Sequence, residues 1–281
     1  MKAEFQSTTA LLEVHWDGKL LPDLTGKELV DRLPALLSGV GLHQLLGVSK
    51  LTSSTGEAQA SAVEDLLNEW RISDRVVAMC FDTTASNTGK HKGACVLLEN
   101  KLGKKLLHLA CRHHIYEIVL ASIFKECMGK SSGPDIAILK RFKDQWTKFD
   151  KSCYKTSDKD TTVNNALDDH SQSIEAFALA QLQMSQPRDD YKELLELVII
   201  FVGGVPPHGV RFKAPGAIHH ASWMAKALYS LKIWMSKEQF QLSESEENGI
   251  REACIFITVV YIKAWFRASL PASAPNNDLL F

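Results

Sequence analysis

The stretch CFDTTASNTG, residues 80–89, sets an aspartate where an apolar run stops and a string of small hydroxyl and amide residues begins. The residues before it, RVVAMCF at 75–81, are apolar without interruption, the pattern of a central strand covered on both faces. A strand that ends in an acid and hands over to a helix belongs to an α/β fold, where ligands gather at the carboxyl ends of the strands. Two roles compete for Asp82. It caps the following helix together with the neighbouring Thr, Ser and Asn side chains, or it is one ligand of a metal ion.

Working outward, Leu12, Val14 and Trp16 alternate with Glu13, His15 and Asp17, which reads as a half-buried strand entering a hairpin near Gly18 and LLPDLTG. A third extended piece falls at 43–51. The segment 55–70 carries a threonine cap and then Ala58, Ala62, Leu66 and Trp70 on one helical face. A second helix is expected over 86–102, a short strand over 105–110, and a third helix through Ile115, Ile118 and Val119. Beyond residue 128 the strand signals fade, and helical periodicity recurs at 136–149, 173–184, 189–202, 217–236 and 245–268. The polar stretch 151–170 reads as a loop, and GGVPPHG at 203–209 breaks any helix through it. The expected organisation is an α/β unit over 1–127 and an all-helical unit over 128–281.

Composition excludes several classes. With 45% apolar and 23% charged residues the chain is neither disordered nor fibrous. A net charge of −1 provides no general basic field, so contact with nucleic acid would need a local patch. Six cysteines, at 80, 95, 111, 127, 153 and 254, form no CxxC pair and read as reduced intracellular thiols. No leader pattern opens the chain, and the apolar runs at 196–202 and 254–266 are too short to span a bilayer or carry Lys263, so no membrane partner is expected.

The NTGK at 87–90 is not a phosphate-binding loop, because that motif needs glycine where Thr84 stands and Ser or Thr where His91 stands. Catalytic Mg²⁺ takes hard oxygen ligands, and one carboxylate does not suffice. Asp17 is the natural second acid, although Asp-Gly is also a favoured hairpin turn. Cys111 and His114 stand three residues apart at a helix start, hence on one face, with Glu117 a turn on. As a zinc site this is half a set. Lys90, His91, Lys92, Lys101, Lys104, Lys105, Arg112 and His113 make a basic cluster around Asp82, which reads either as a guide for a phosphate backbone or as a solvated face.

CFDTTASNTG followed by CRHH resembles the core of hAT-type DNA transposases, which have a ribonuclease-H-like fold. The resemblance spans residues 10–125 well and the rest loosely. It implies a mixed sheet with a large helical insertion, metal-dependent DNA cleavage and strand transfer, Mg²⁺ or Mn²⁺ as cofactor, and transposon-end DNA as partner. It also implies nuclear or other intracellular action and leaves room for a homo-oligomer. In that family an aspartate follows the fourth strand, matched by Asp82, and a Cys-x-x-His motif follows the fifth, matched by Cys111 and His114. Asp17 is the candidate for the first acid. HHASWMAKALY at 219–229 is similar to the segment whose tryptophan holds DNA, which makes Trp223 the match, although its spacing with Ala227 and Leu231 equally fits a packed stripe. Lys90, Lys92 and Arg112 are the candidate phosphate contacts.

The family's third acid, a glutamate on a helix after the insertion, has no match here, and Ser222 stands where an arginine often precedes the tryptophan. Three functions follow as expectations: an hAT-like transposase or a fragment of one, a catalytically silent relative that binds, and a ribonuclease-H-like nuclease acting on RNA–DNA hybrids. The segment 246–266 is a fourth candidate, an apolar face for a partner.

Overall fold

The computed structural model describes residues 10–23, 25–39, 41–129, 136–216, 223–268 and 271–280. It is a mixed α/β structure with one mixed six-stranded sheet. The strands are β1 (Leu12–Trp16), β2 (Lys19–Pro22), β3 (Leu29–Gly39), β4 (Leu42–Lys50), β5 (Val76–Phe81) and β6 (Leu107–Ala110). Their order is β2-β3-β1-β5-β6, with β4 also paired to β3.

Strands β1 and β2 pair antiparallel with β3 in a single register, Trp16 opposite Ala35 and Lys19 opposite Arg32. They are one strand interrupted at Asp17 and Gly18. The interruption lies opposite Leu33 and Pro34, and a proline has no N–H to give to a ladder. The hairpin turn lies further on, where the Asp23 N–H bonds to the Glu28 carbonyl at 2.8 Å and the Asp23 carboxylate accepts the N–H groups of Thr25 and Lys27. This corrects the alternative that made Asp17-Gly18 a hairpin turn.

Strand β5 runs parallel to β1, and β6 parallel to β5. Parallel neighbours require crossovers. These are α1 (Gly56–Trp70), then the single turn α2 (Ala85–Thr88) with α3 (Ala94–Leu102). Thr55 caps α1 by accepting the Ala58 N–H. One face of the sheet contributes Leu12, Val14, Trp16, Leu33, Ala35, Leu37, Met79 and Phe81 to a core closed by Val63, Leu67 and Leu98 of the helices. Burying each such side chain stabilises the fold by roughly 1.5–3 kcal/mol before entropy is counted.

The single helix expected over 86–102 is split. Backbone segments pass too closely here for a continuous helix: a Cβ on Gly93 would lie 2.4 Å from the Asn87 carbonyl oxygen, and one on Gly56 would lie 2.3 Å from that of Lys92. The glycines let the start of α1 pack against the loop that follows Asp82.

The chain divides into two compact units. The first ends at Ile115 and also takes in Ala268–Leu280; the second runs Tyr116–Arg267. The division falls within α4 (Arg112–Met128), and the carboxyl-terminal helix α12 (Ala274–Leu280) belongs with the sheet.

Among its described residues the second unit has helices and no strand: α5 (Ala137–Gln145), α6 (Thr161–Leu167), α7 (Ser171–Leu182), α8 (Asp189–Phe201), α9 (Trp223–Met235), α10 (Glu244–Phe256), a π-helical segment (Ile257–Tyr261) and α11 (Ile262–Arg267). Helix α6 lies inside the stretch expected to be a loop. Asp160 starts it by accepting the N–H groups of Thr162 and Val163, and its carboxylate also receives Lys237 and Arg251. Ser243 and Glu246 form a capping box on α10.

The core of this unit includes Leu194, Leu195 and the buried run Leu197 to Phe201 on α8, with Phe201 packed on Trp234 at 4.8 Å between ring centroids. Buried Lys232 is paired with Glu193 at 2.6 Å. Ile250, Ala253, Cys254, Ile257, Tyr261, Ile262 and Trp265 are buried, so the segment 246–266 does not offer the open apolar face expected of a docking helix. No helix among the described residues is long and apolar enough to cross a membrane.

Candidate functional site

Register decides where the two acids go. His15 of β1 lies opposite Cys80 of β5 in the parallel ladder. The pairing ends there, and Asp17 and Asp82 are the residues just past the carboxyl ends of these adjacent strands. Neighbouring strands are about 4.8 Å apart, and residues in phase share a face. Both aspartates line one cavity of about 220 Å³, together with His15, His43, Cys80, Cys111 and His114.

The Asp82 carboxylate is held from below. Its Oδ1 accepts the Thr84 N–H at 2.9 Å, the Thr84 hydroxyl, and the Asn87 side-chain amide at 2.8 Å. Asn87 is buried, and its Oδ1 accepts the Trp16 indole N–H at 2.8 Å. Burial pushes the Asp82 carboxyl up, but the bonds from Thr84 and Asn87 and the nearby His114 outweigh it, and the net shift is downward. These bonds brace the loop and do not cap the helix, whose N-cap is Thr84 and carries no side-chain cap bond, so the capping expectation is corrected; they occupy one carboxylate oxygen only. Asp17 pairs with Lys19 at 2.6 Å, and both side chains are largely exposed. Such a pair is worth at most about 1 kcal/mol, so a divalent cation would compete with it readily.

Deeper on the same face the site is made of soft and neutral donors. Cys111 stands at the start of α4 and contacts the Cys80 thiol and His114. The thiol of Cys80 is pushed up by the Cys111 contact and by burial. Cys111 moves the other way, held down by Cys80 and His114 against its own burial. Burial, helped by His43, lowers His15 to about 4. Its Nε2 lies 3.1 Å from the Ser38 hydroxyl, which donates to Glu13 at 3.3 Å. Glu13 is raised to about 7 by burial, against the Ser38 bond. The sequence showed Glu13 only as the polar partner in an alternating strand; that its face would be closed could not be seen.

The basic cluster is largely spoken for. Lys101 pairs with Glu64 and Glu57, Lys104 donates to the Ser73 and Asp74 carbonyls, and Lys105 pairs with buried Glu99. Arg112 forms a bidentate pair with Asp278 of α12, at 2.7 and 2.6 Å, and donates to the Ala110 carbonyl. Lys90, His91 and Lys92 lie exposed on the turn after Asp82. Trp223 opens α9, but its side chain lies outside the described residues.

Among the described residues, no group of three or more His, Cys, Asp and Glu is arranged to hold a metal ion. Asp17 and Asp82 are two hard oxygen donors, and this fits a Mg²⁺ that is bound through one or two carboxylates and completes its shell with water and phosphate. It does not fit a two-ion site. Comparison with protein-family models and with curated proteins finds no match for this chain.

Proposed function

We propose that the sheet unit is a ribonuclease-H-like domain of the hAT-transposase type, and that Asp17 and Asp82 form its divalent-cation site for cutting DNA phosphodiesters. One observation carries this reading: the two acids follow the ends of adjacent parallel strands and line one cavity. The order of elements supports it. Counting β1 and β2 as one interrupted strand, Asp82 follows the fourth strand and Cys111 and His114 follow the fifth. The helical unit lies in the sequence between α4 and a segment, Ala268–Leu280, that belongs with the sheet, as an insertion would.

Asp17 and Asp82 would hold Mg²⁺ or Mn²⁺. When bound there, the ion supplies Lewis-acid neutralisation of charge on the phosphate. The chain's own residues do the remaining work. Thr84 and Asn87 keep Asp82 ionised and aimed, and Trp16 fixes Asn87. Lys90 and Lys92 attract the DNA backbone, with binding that weakens as salt rises. Arg112 is tied to Asp278 and is not free for phosphate without breaking that pair.

The test is nicking of DNA carrying transposon-end inverted repeats in Mn²⁺ or Mg²⁺, with an RNA–DNA hybrid as a parallel substrate. Cleavage of DNA that is lost in Asp82→Ala and Asp17→Ala supports the reading; cleavage unchanged in Asp82→Ala rejects it. Cleavage confined to the hybrid moves the protein to the other nuclease lineage.

A second reading, a silent transposase-derived binding protein, is favoured by the donor set: among the described residues, no third His, Cys, Asp or Glu joins Asp17 and Asp82 in a metal-holding group. Calorimetric titration separates the two readings: Mg²⁺ binding that requires Asp82 counts against silence, and its absence favours it.

A further inference from the structure

The cavity beside the acid pair also holds two thiols that the proposed phosphodiester chemistry leaves unused. Cys80 is buried on β5, and Cys111, between β6 and α4, is partly exposed. Cys80 pairs in register with Leu109, so Cys111 lies two residues further along in the same phase, diagonally across from it. The Cys111 N–H donates to the Phe81 carbonyl at 2.9 Å, which holds the two chain segments together at this level. Both residues line the cavity, so a small solute can reach the sulfur pair without opening the core. His114, one turn along α4, lines it too and contacts the Cys111 sulfur.

We propose that Cys111 and Cys80 are a redox couple that closes to a disulfide when a hydroperoxide enters the cavity. Cys111, the more accessible, reacts first. Its sulfur attacks the terminal peroxide oxygen, the O–O bond breaks, and a Cys111 sulfenic acid forms as the other oxygen leaves and takes the Cys111 thiol proton, giving water from hydrogen peroxide or an alcohol from an alkyl hydroperoxide. The Cys80 sulfur then attacks the Cys111 sulfur. The S–O bond breaks and hydroxide departs, taking the Cys80 proton to form water. Two thiols lose two electrons and the peroxide gains them. Excess dithiol reverses the reaction by exchange. Closing the bond ties the end of β5, which leads into Asp82, to the start of α4. The couple works in this way whether or not Asp82 binds a metal.

The experiment uses the full chain, reduced, exposed to hydrogen peroxide, alkylated and digested without reductant for mass spectrometry. The expected product is a linked peptide pair joining residues 80 and 111, lighter by two hydrogens and separated by dithiothreitol. In Cys80→Ser the link is lost, and a sulfenic acid on Cys111 is trapped by dimedone. Two results overturn the proposal in the unaltered protein: Cys111 passing to sulfinic acid without linking, or Cys80 and Cys111 still alkylating fully while exposed Cys153 or the Cys127 and Cys254 thiols have been oxidised. Because the linked peptide is read in the unaltered chain, the outcome stands even if Cys80→Ser folds poorly.

Discussion

The buried amide of Asn87 donates to the Asp82 carboxylate at 2.8 Å while its oxygen takes the Trp16 indole N–H at the same distance. One side chain thus ties the last residue of β1 to the acid beyond β5. Replacing it with alanine leaves a buried indole N–H without its acceptor, at a cost of about 1–3 kcal/mol. We expect Asn87→Ala to lower the unfolding free energy by that amount and to move the Asp82 carboxyl up toward its ordinary range. Urea melts and a carboxyl NMR titration read the two effects; an unchanged Asp82 titration would show that Asn87 does not position it.

Glu13 gives stability a defined pH slope. Its carboxyl is raised in the fold from 4.5 to about 7, so the fold favours the protonated form. That contribution is complete below pH 4.5 and is lost as pH climbs through about 7. Glu13→Gln keeps the neutral shape at every pH. Relative to the native chain it should gain stability across this window, by about 1–3 kcal/mol at its upper end. Urea melts at pH 5 and pH 8 that show the same difference would refute this.

Gly56 meets backbone on three sides: a Cβ there would lie 2.3 Å from the Lys92 oxygen, 2.6 Å from the Ser86 oxygen and 2.7 Å from the Ala94 nitrogen. Backbone cannot yield as a side-chain tip can. Gly56→Ala should destabilise by about 2–4 kcal/mol and raise hydrogen exchange over 85–93, the loop that carries Lys90 and Lys92. Wild-type exchange in that loop would mean the contact relaxes at no cost.

Asp160 separates capping from ion pairing in the helical unit. Burial raises its carboxyl, but Lys237, the Val163 N–H and Arg251 more than offset that and hold it down. Asp160→Asn keeps an oxygen for the Thr162 and Val163 N–H groups and removes the charge; Asp160→Ala removes both. The alanine variant should be the less stable by about 1 kcal/mol. Equal melting of the two would leave the cap without energetic weight.

The alternation of Leu12, Val14 and Trp16 and the unbroken run at 75–81 were legible because burial on one face or on both leaves a period in the chain. The interruption at Asp17-Gly18 was not. It depends on Pro34, which becomes its neighbour only when β3 folds back. The same reason hid part of the split of the 86–102 helix: Gly56 packs on the backbone of Ser86, Lys92 and Ala94, while Gly93 turns tightly onto Asn87 and Gly89 of its own segment. The helix at 161–167 was missed because one cap, Asp160, outweighs a polar composition once Lys237 and Arg251 reach it.

By itself the sequence determined a set of local features: the strands at 12–16 and 76–81, most of the helices, that Asp82 follows a central strand, and that Cys111 and His114 share a helix start; it held no expectation of β3 at 29–39. Periodicity and residue chemistry act over a few positions and are written along the chain. The tertiary structure alone decided that Asp17, Asp82, Cys80 and Cys111 line one cavity, that most of the basic cluster is already paired, and that 268–280 belongs with the sheet. Those relations depend on strand register and on contacts between residues far apart in the chain, and no local pattern encodes a register.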